Sequence, residues 1–353
     1  MFALAAAVVR VWRESGGALP RFDAPPEGEE VWGHDRFTVL DPVVGFRPRR
    51  DFVGRLRMGP LGGRPVAHQR KQNNLGLIRT EDVNGIPDAR RVLLLGDSHL
   101  MGVVDNADNA GNVLERALRE RSGDADASVY NAACGNYSLY QYVLRARMLV
   151  DALRPDTLAA VIFLGNDLLE LEHAARPHLD DALEERPANP SAPPENPLLR
   201  WQGLGRPPQG LFWQGLNQAS YLSDSPARVR PVLAKMRRSL ELLAKLAEER
   251  DTALLVALLP SYDLTFPERA GVRYEEVRTL LRGNPNGSLR AALLAVLGEL
   301  GIPYVDLLER FRADGRDEIY AQDFHIYVGG HRHVAEALVE PVLAAAPEWR
   351  RAR

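Results

Sequence analysis

The sequence predicts an α/β fold, with a parallel β-sheet covered by helices on both faces. Two observations predict it. From residue 90 onward, short apolar runs alternate with segments of helical periodicity, the order that builds right-handed βαβ crossovers. Two of the runs end abruptly in Gly96-Asp97-Ser98 and Gly165-Asn166-Asp167. Polar residues at strand carboxyl ends are where parallel sheets bind ligands.

The elements follow in order. Residues 92–95 read as a strand and 113–121 as a helix; 128–131 read as a strand and 139–153 as a helix. Residues 158–164 read as a strand, 228–250 as a long helix and 253–259 as a strand. A helix at 288–297, a brief strand at 304–305 and a last helix at 330–343 complete the pattern. Residues 1–88 hold turn formers and short extended pieces, such as Phe37-Thr-Val-Leu40 and Val43-Val-Gly-Phe46. This stretch is expected to be an N-terminal extension of strands and loops that packs on the core. The core domain is expected to span residues 89–346, with an insertion at 172–226 and a tail at 347–353. Within the insertion, Pro177 to Pro208 carries eight of the chain's 25 prolines, which forbids regular structure there. Leu211-Phe212-Trp213 and Tyr221 follow it, so the insertion is a candidate lid or pocket wall.

Bulk properties exclude several function classes. In 353 residues, 45% are hydrophobic and 26% charged, the balance of a globular protein. A net charge of −3 leaves no electrostatic footprint for nucleic acid and no basic membrane stripe. Lysine occurs only at 71, 235 and 245; this arginine bias reads as genome composition. With Cys134 alone, no intrachain disulfide and no cysteine-based zinc site can form. The apolar run Met1–Val9 is too short to span a bilayer and lacks the flanks of a signal peptide. No membrane span and a cytoplasmic location are expected. Nothing in the sequence sets the oligomeric state.

Four separated pieces carry the chemistry. They are Gly96-Asp97-Ser98; Asn131-Ala-Ala-Cys134-Gly135-Asn136; Gly165-Asn166-Asp167; and Gln322-Asp323-Phe324-His325. A serine hydroxyl at a strand-to-helix turn meets backbone N–H groups and a helix dipole that favour developing negative charge. Such a hydroxyl needs an adjacent base to act as a nucleophile. These pieces resemble, in order, the four blocks of the SGNH (GDSL-type) hydrolase superfamily, at Ser98, Gly135, Asn166 and His325. Asn73-Asn74-Leu-Gly76-Leu-Ile-Arg79 and Arg154-Pro155-Asp156 are also similar to stretches in its bacterial members. The resemblance covers roughly residues 73–170 and 228–345.

It implies a flavodoxin-like three-layer α/β/α fold and acyl-ester chemistry without a cofactor or metal. It implies Ser98 as nucleophile and His325 as base, with the backbone N–H groups of Ser98 and Gly135 and the Asn166 amide as oxyanion donors. The family's acid stands three residues before the histidine, where this chain has Gln322. Asp323 stands two before, and in an extended loop residues i and i+2 point the same way. Two arrangements therefore stay open: a triad completed by Asp323, or a dyad whose imidazole is oriented by a backbone carbonyl or Gln322.

Bland roles compete at each position. Ser98 and Asn166 suit helix caps, Gly135 suits a turn, and Asp97 suits capping or orienting. Asp97, His99, Tyr262, Phe212 and Trp213 are the candidate substrate-binding residues. Asp167 reads as structural, Cys134 as a small buried residue, and His331 as a packing or capping residue. A metal site from His325, His331, His333 and Asp323 fits no common spacing. The expected substrate is a small acyl ester, acetyl-like, of a carbohydrate or secondary metabolite. An O-acyltransferase with the same residues is the alternative. A catalytically silent carbohydrate-binding domain is the third reading.

Overall fold

The computed structural model describes residues 37–41, 43–86, 89–168, 171, 226–266 and 287–345. The expectations for residues 1–36, for Phe212, Trp213 and Tyr221, and for the tail lie outside these.

The central sheet has five parallel strands: β5 (Arg91–Leu95), β6 (Ser128–Asn131), β7 (Thr157–Phe163), β8 (Ala253–Leu259) and β9 (Tyr304–Asp306). Their spatial order is β6-β5-β7-β8-β9. Numbered from β5 this is 2-1-3-4-5, the flavodoxin-like order, whose ligand crevice lies between the first and third strands. Ser98 follows β5 and Asn166 follows β7, so both sit at that crevice.

Side-chain alternation along the strands separates two cores. Leu93, Leu95, Leu158, Ala160, Ile162, Val256 and Leu258 face one layer. That layer holds α3 (Leu139–Leu153), α4 (Pro226–Glu249) and α6 (Gly287–Glu299). Val92, Leu94, Ala159, Val161, Phe163, Leu255 and Ala257 face the other. There lie α1 (Ser98–Met101), α2 (Ala110–Ser122), α5 (Tyr262–Thr265), α7 (Leu308–Asp314) and α8 (Val328–Ala344). All seven residues of β7 are buried, as a central strand covered on both faces requires.

Local chemistry sets the helix ends. Asn109 caps α2 by accepting the Gly111 N–H at 3.1 Å. Gly123 closes it in the left-handed region, with φ of 70°. At the start of α3 the Gln141 side chain reaches back to accept the Ser138 N–H at 3.0 Å. The helix stops at Arg154, which Pro155 follows.

The N-terminal stretch forms two antiparallel hairpins. One is β1 (Thr38–Asp41) with β2 (Gly45–Pro48), the other β3 (Phe52–Met58) with β4 (Val66–Gln72). Val44 and Leu77 enter one core; Phe37, Phe52, Leu56 and Ile78 enter the other. Asn73 turns the chain after β4 by accepting the N–H groups of Leu75 and Leu77, both at 3.0 Å. Ile78 N–H then donates to the Asn131 carbonyl at 2.9 Å, at the end of β6. Arg79 completes the join. Its guanidinium meets Glu115 Oε2 at 2.8 Å, lies over the Tyr130 ring, and shares Glu115 with Arg119. The same carboxylate accepts the Val129 N–H at 2.9 Å. Among the described residues, no helix is long and apolar enough to cross a membrane.

Glu115 is therefore a buried carboxylate with two cations and a backbone donor depending on it. Glu115→Ala is expected to cost about 3 kcal/mol, the low end for breaking a buried pair, since the buried Arg79 guanidinium keeps only its 3.4 Å contact with the exposed Glu81. Urea unfolding of the two proteins measures it, and a loss below about 1 kcal/mol would show that the cluster does not hold the extension.

Candidate active site

The strand β5 ends in Gly96-Asp97-Ser98, and the chain turns at once into α1. Asp97 caps that helix: its carboxylate accepts the His99 N–H at 2.8 Å. After one turn Gly102 ends it, with φ of 78°. A Cβ at Gly102 would lie 2.4 Å from His331 Nε2, so both the backbone angle and the space exclude a side chain.

A four-residue helix has little stability of its own and leaves its carbonyls without intrahelical partners. Here buried side chains supply them. The Leu100 carbonyl accepts from Asn109 and Asn131, each at 3.1 Å. The Met101 carbonyl accepts from Asn109 at 3.1 Å and from Arg70 at 2.8 Å, and the Gly102 carbonyl accepts from Arg70. Sequence reasoning missed Arg70 and Asn109. Asn109 carries a legible signal only as a helix cap; Arg70 carries none.

His325 reaches Ser98 from 227 positions away in sequence, with Nε2 at 2.8 Å from Oγ. Its Nδ1 lies 2.9 Å from Asp323 Oδ2. The neutral tautomer with its proton on Nδ1 satisfies both contacts: it donates to Asp323 and accepts from the Ser98 hydroxyl. The single hydroxyl proton has a farther acceptor in Asp97 Oδ2, at 3.4 Å.

Asp323 and His325 converge differently from the expectation of an extended loop. The segment is a tight turn. Phe324 N–H donates to the Ala321 carbonyl at 2.9 Å, and Ala321 N–H to the His325 carbonyl at 2.7 Å. Phe324 takes a left-handed φ of 67°, a conformation that costs on the order of 1–3 kcal/mol in a bulky residue. The Asp323 carboxylate also accepts the His325 N–H at 3.2 Å, the local side-chain turn that aspartate favours. The Phe324 ring meets Tyr262, centroids 5.4 Å apart. Gln322 faces away, donating from its side chain to the Gly63 carbonyl at 2.7 Å.

Burial and charge oppose each other at the imidazole. Desolvation pushes the His325 pKa down. The Asp323 carboxylate, through charge and hydrogen bond, and the Asp97 charge outweigh that, so it lies above the ordinary histidine value. Burial raises Asp97 to about 6. Burial lowers His99 well below its usual range and His331 to about 3, so both stay neutral. Burial pushes the Cys134 thiol up to about 12, which rules it out as a thiolate nucleophile at neutral pH.

The structure places the remaining candidates as follows. Asp97 and His99 are 0% and 1% exposed, behind the Ser98–His325 pair rather than on its open side. The His99 ring stacks on Phe163, centroids 3.4 Å apart, and meets the His325 ring at 4.6 Å, tilted by 36°. Tyr262 is buried, and its hydroxyl donates to Asp317 at 3.0 Å. Gly135 N–H is directed at Met101 Sδ, 3.3 Å away. Asn166 is half-buried after β7. Asp167 accepts from the Tyr142 hydroxyl and the Phe163 N–H, at 2.6 and 2.8 Å. His331 Nδ1 accepts the Ala110 N–H at 3.2 Å, while His333 meets Asp314 and Arg310. Among the described residues, no group of three or more His, Cys, Asp or Glu side chains is placed to hold a metal ion.

No protein-family model matches the sequence, and no curated protein matches it. Solved structures do. A lipase/acylhydrolase from Enterococcus faecalis is similar over 73% of this chain and 98% of its own, at 16% identity and a TM-score of 0.39. A GDSL-like lipase from Bacteroides thetaiotaomicron is similar over 72% and 89%, at 11% identity and a TM-score of 0.37. The esterase EstA from Pseudoalteromonas sp. is similar over 72% and 97%, at 12% identity and a TM-score of 0.37.

The electrostatics make a signed prediction. Replacing the carboxylate by an amide in Asp323→Asn removes what holds the imidazolium and leaves the burial that opposes it. The His325 pKa, followed by NMR titration, is expected to fall. An unchanged or higher value would mean that Asp323 does not carry the charge balance of the site.

Proposed function

We propose that the protein hydrolyses carboxylic esters through an acyl-enzyme on Ser98. The observation that carries this reading is the unbroken line from Asp323 through His325 to Ser98, with contacts of 2.9 and 2.8 Å.

Ser98 Oγ attacks the ester carbonyl while its proton passes to His325 Nε2. Asp323 accepts from Nδ1–H throughout and stabilises the imidazolium without itself taking the proton. As the tetrahedral intermediate collapses, the C–O bond to the alcohol breaks and His325 returns the proton to the departing oxygen. A water then attacks the acyl-enzyme, giving its proton to His325, and collapse releases the carboxylic acid and restores Ser98. The proposed oxyanion donors are Ser98 N–H, in the first turn of α1, Gly135 N–H and the Asn166 amide. A thioether is a weak acceptor, so an oxyanion competes readily with Met101 Sδ for the Gly135 N–H. The four-block resemblance adds the substrate class: a small, acetyl-like acyl group on a carbohydrate or secondary metabolite.

The wild type is expected to cleave p-nitrophenyl esters, fastest with short acyl chains, and to be labelled by a fluorophosphonate. Ser98→Ala is expected to lower kcat by about 10⁴–10⁶, as loss of the nucleophile does in serine hydrolases. Labelling without hydrolysis of any ester would redirect the reading to acyl transfer onto a hydroxyl acceptor. A wild type that shows no labelling and no hydrolysis would overturn the enzymatic reading in favour of a binding domain.

The pH profile is a second check. The base works only when neutral, so kcat/KM is expected to rise through a midpoint above the ordinary histidine pKa. In Asp323→Asn the midpoint is expected to move to lower pH and the plateau to drop by up to about 10⁴-fold. A midpoint that stayed in place would argue that another group takes the proton.

A further inference from the structure

The inward face of β4 is made of His68, Arg70 and Gln72, each no more than 4% exposed. A strand packed on a core ordinarily presents apolar residues there, because buried polar groups are unfavourable unless bonded. Two of these three bond to the segments that carry Ser98 and His325.

Arg70 meets the nucleophile side. Its guanidinium donates to the Met101 and Gly102 carbonyls, at the end of α1. No carboxylate pairs with it among the described residues; its charge is met by the carbonyls that end α1 and by the face of the Phe37 ring, whose centroid lies 5.4 Å from Cζ. The edge of β4 is stitched to the residues just beyond. Gln69 N–H donates to Asp105 at 2.6 Å and Lys71 N–H to Asn106 at 3.0 Å.

The other contacts meet the base side. The turn of the β3–β4 hairpin lies along the residues before His325: Pro60 bridges Ala321, Leu61 N–H donates to the Tyr320 carbonyl at 2.8 Å, and Gln322 N–H donates to the Gly59 carbonyl at 3.0 Å. Beyond His325, the Tyr327 hydroxyl lies 3.0 Å from His68 Nε2, and His68 Nδ1 lies 3.0 Å from Asp105. One hairpin thus brackets His325 on both sides in sequence and also holds the end of the Ser98 helix.

We propose that the β3–β4 hairpin is the jig of the active site and that Arg70 is its positioning residue, holding the Ser98 helix in register with the His325 turn. This rests on Ser98 and His325 acting as nucleophile and base. Neither the four-residue α1 nor the strained turn at Phe324 holds its own shape. A misplacement of about 1 Å between reacting groups can lower a rate by about 10²-fold.

The test uses the full chain with Arg70→Met, Arg70→Lys and Gln322→Ala. Gln322 is exposed, and its loss removes only the side-chain tie to Gly63. The readouts are cooperative unfolding, ester kcat and KM, the rate of Ser98 labelling by a fluorophosphonate, and hydrogen exchange in peptides covering residues 98–106 and 320–327. In Arg70→Met, kcat and labelling are expected to fall about 10²-fold with KM little changed, and exchange at 98–106 to quicken. Arg70→Lys is expected to recover part of the rate. A folded Arg70→Met with wild-type labelling and exchange would overturn the proposal. Should Arg70→Met not fold, Gln322→Ala decides: a several-fold loss of kcat with faster exchange at 320–327 supports it, and no change in either overturns it. A wild type that is neither labelled nor active would sink the hydrolase reading. The exchange data alone would then decide whether the hairpin holds the two segments.

Discussion

At the end of β5 the chain must hold a serine hydroxyl against the His325 imidazole while the residues around it stay buried. Most of the architecture near the crevice answers to that constraint. The helix that follows is too short to satisfy its own carbonyls, so Asn109, Asn131 and Arg70 do it from three directions. Asp97 satisfies the other end through the His99 N–H. Asn109 and Asn131 also bond each other, at 2.8 Å, which locks the start of α2 to the end of β6. The Ser98 turn is therefore a node where four chain segments share hydrogen bonds. A buried network of this kind rigidifies only when fully satisfied.

The charges around the pair are graded by burial. His99 and His331 are sealed and kept neutral, so they add bulk and polarity behind His325 without adding positive charge. Asp323, on the exposed side, and Asp97, on the buried side, both favour the imidazolium. The charge of Arg70 opposes them. The imidazole thus lies between two carboxylates and one cation, against the His99 ring, which itself stacks on Phe163.

Much of this was legible in advance. Strands β5, β7 and β8 and helices α2, α3, α4, α6 and α8 match the periodicity to within a few residues, because each buries a continuous or one-sided apolar surface that the sequence spells out directly. The hairpin β3–β4 shows the limit. Its second strand, Val66–Gln72, alternates polar with polar, since its inward face is His68, Arg70 and Gln72. No hydrophobic period marks such a strand. Likewise α1, α5 and α7 are shorter than the window over which a helical period can be recognised.

The candidate site divides along the same line. The sequence by itself determined which residue types are present, the fold class, and the strand ends at which Ser98 and Asn166 stand, because strand burial and the parallel crossover rule are local and topological. Only the tertiary structure decided that Asp323 rather than Gln322 faces the imidazole, through a left-handed turn at Phe324 that no apolar pattern encodes. It also decided that Asp97 and His99 stand behind the pair and that Arg70 supports it. These outcomes depend on buried polar groups finding partners far away in the chain. A hydrogen bond between distant residues leaves no periodic trace in either segment.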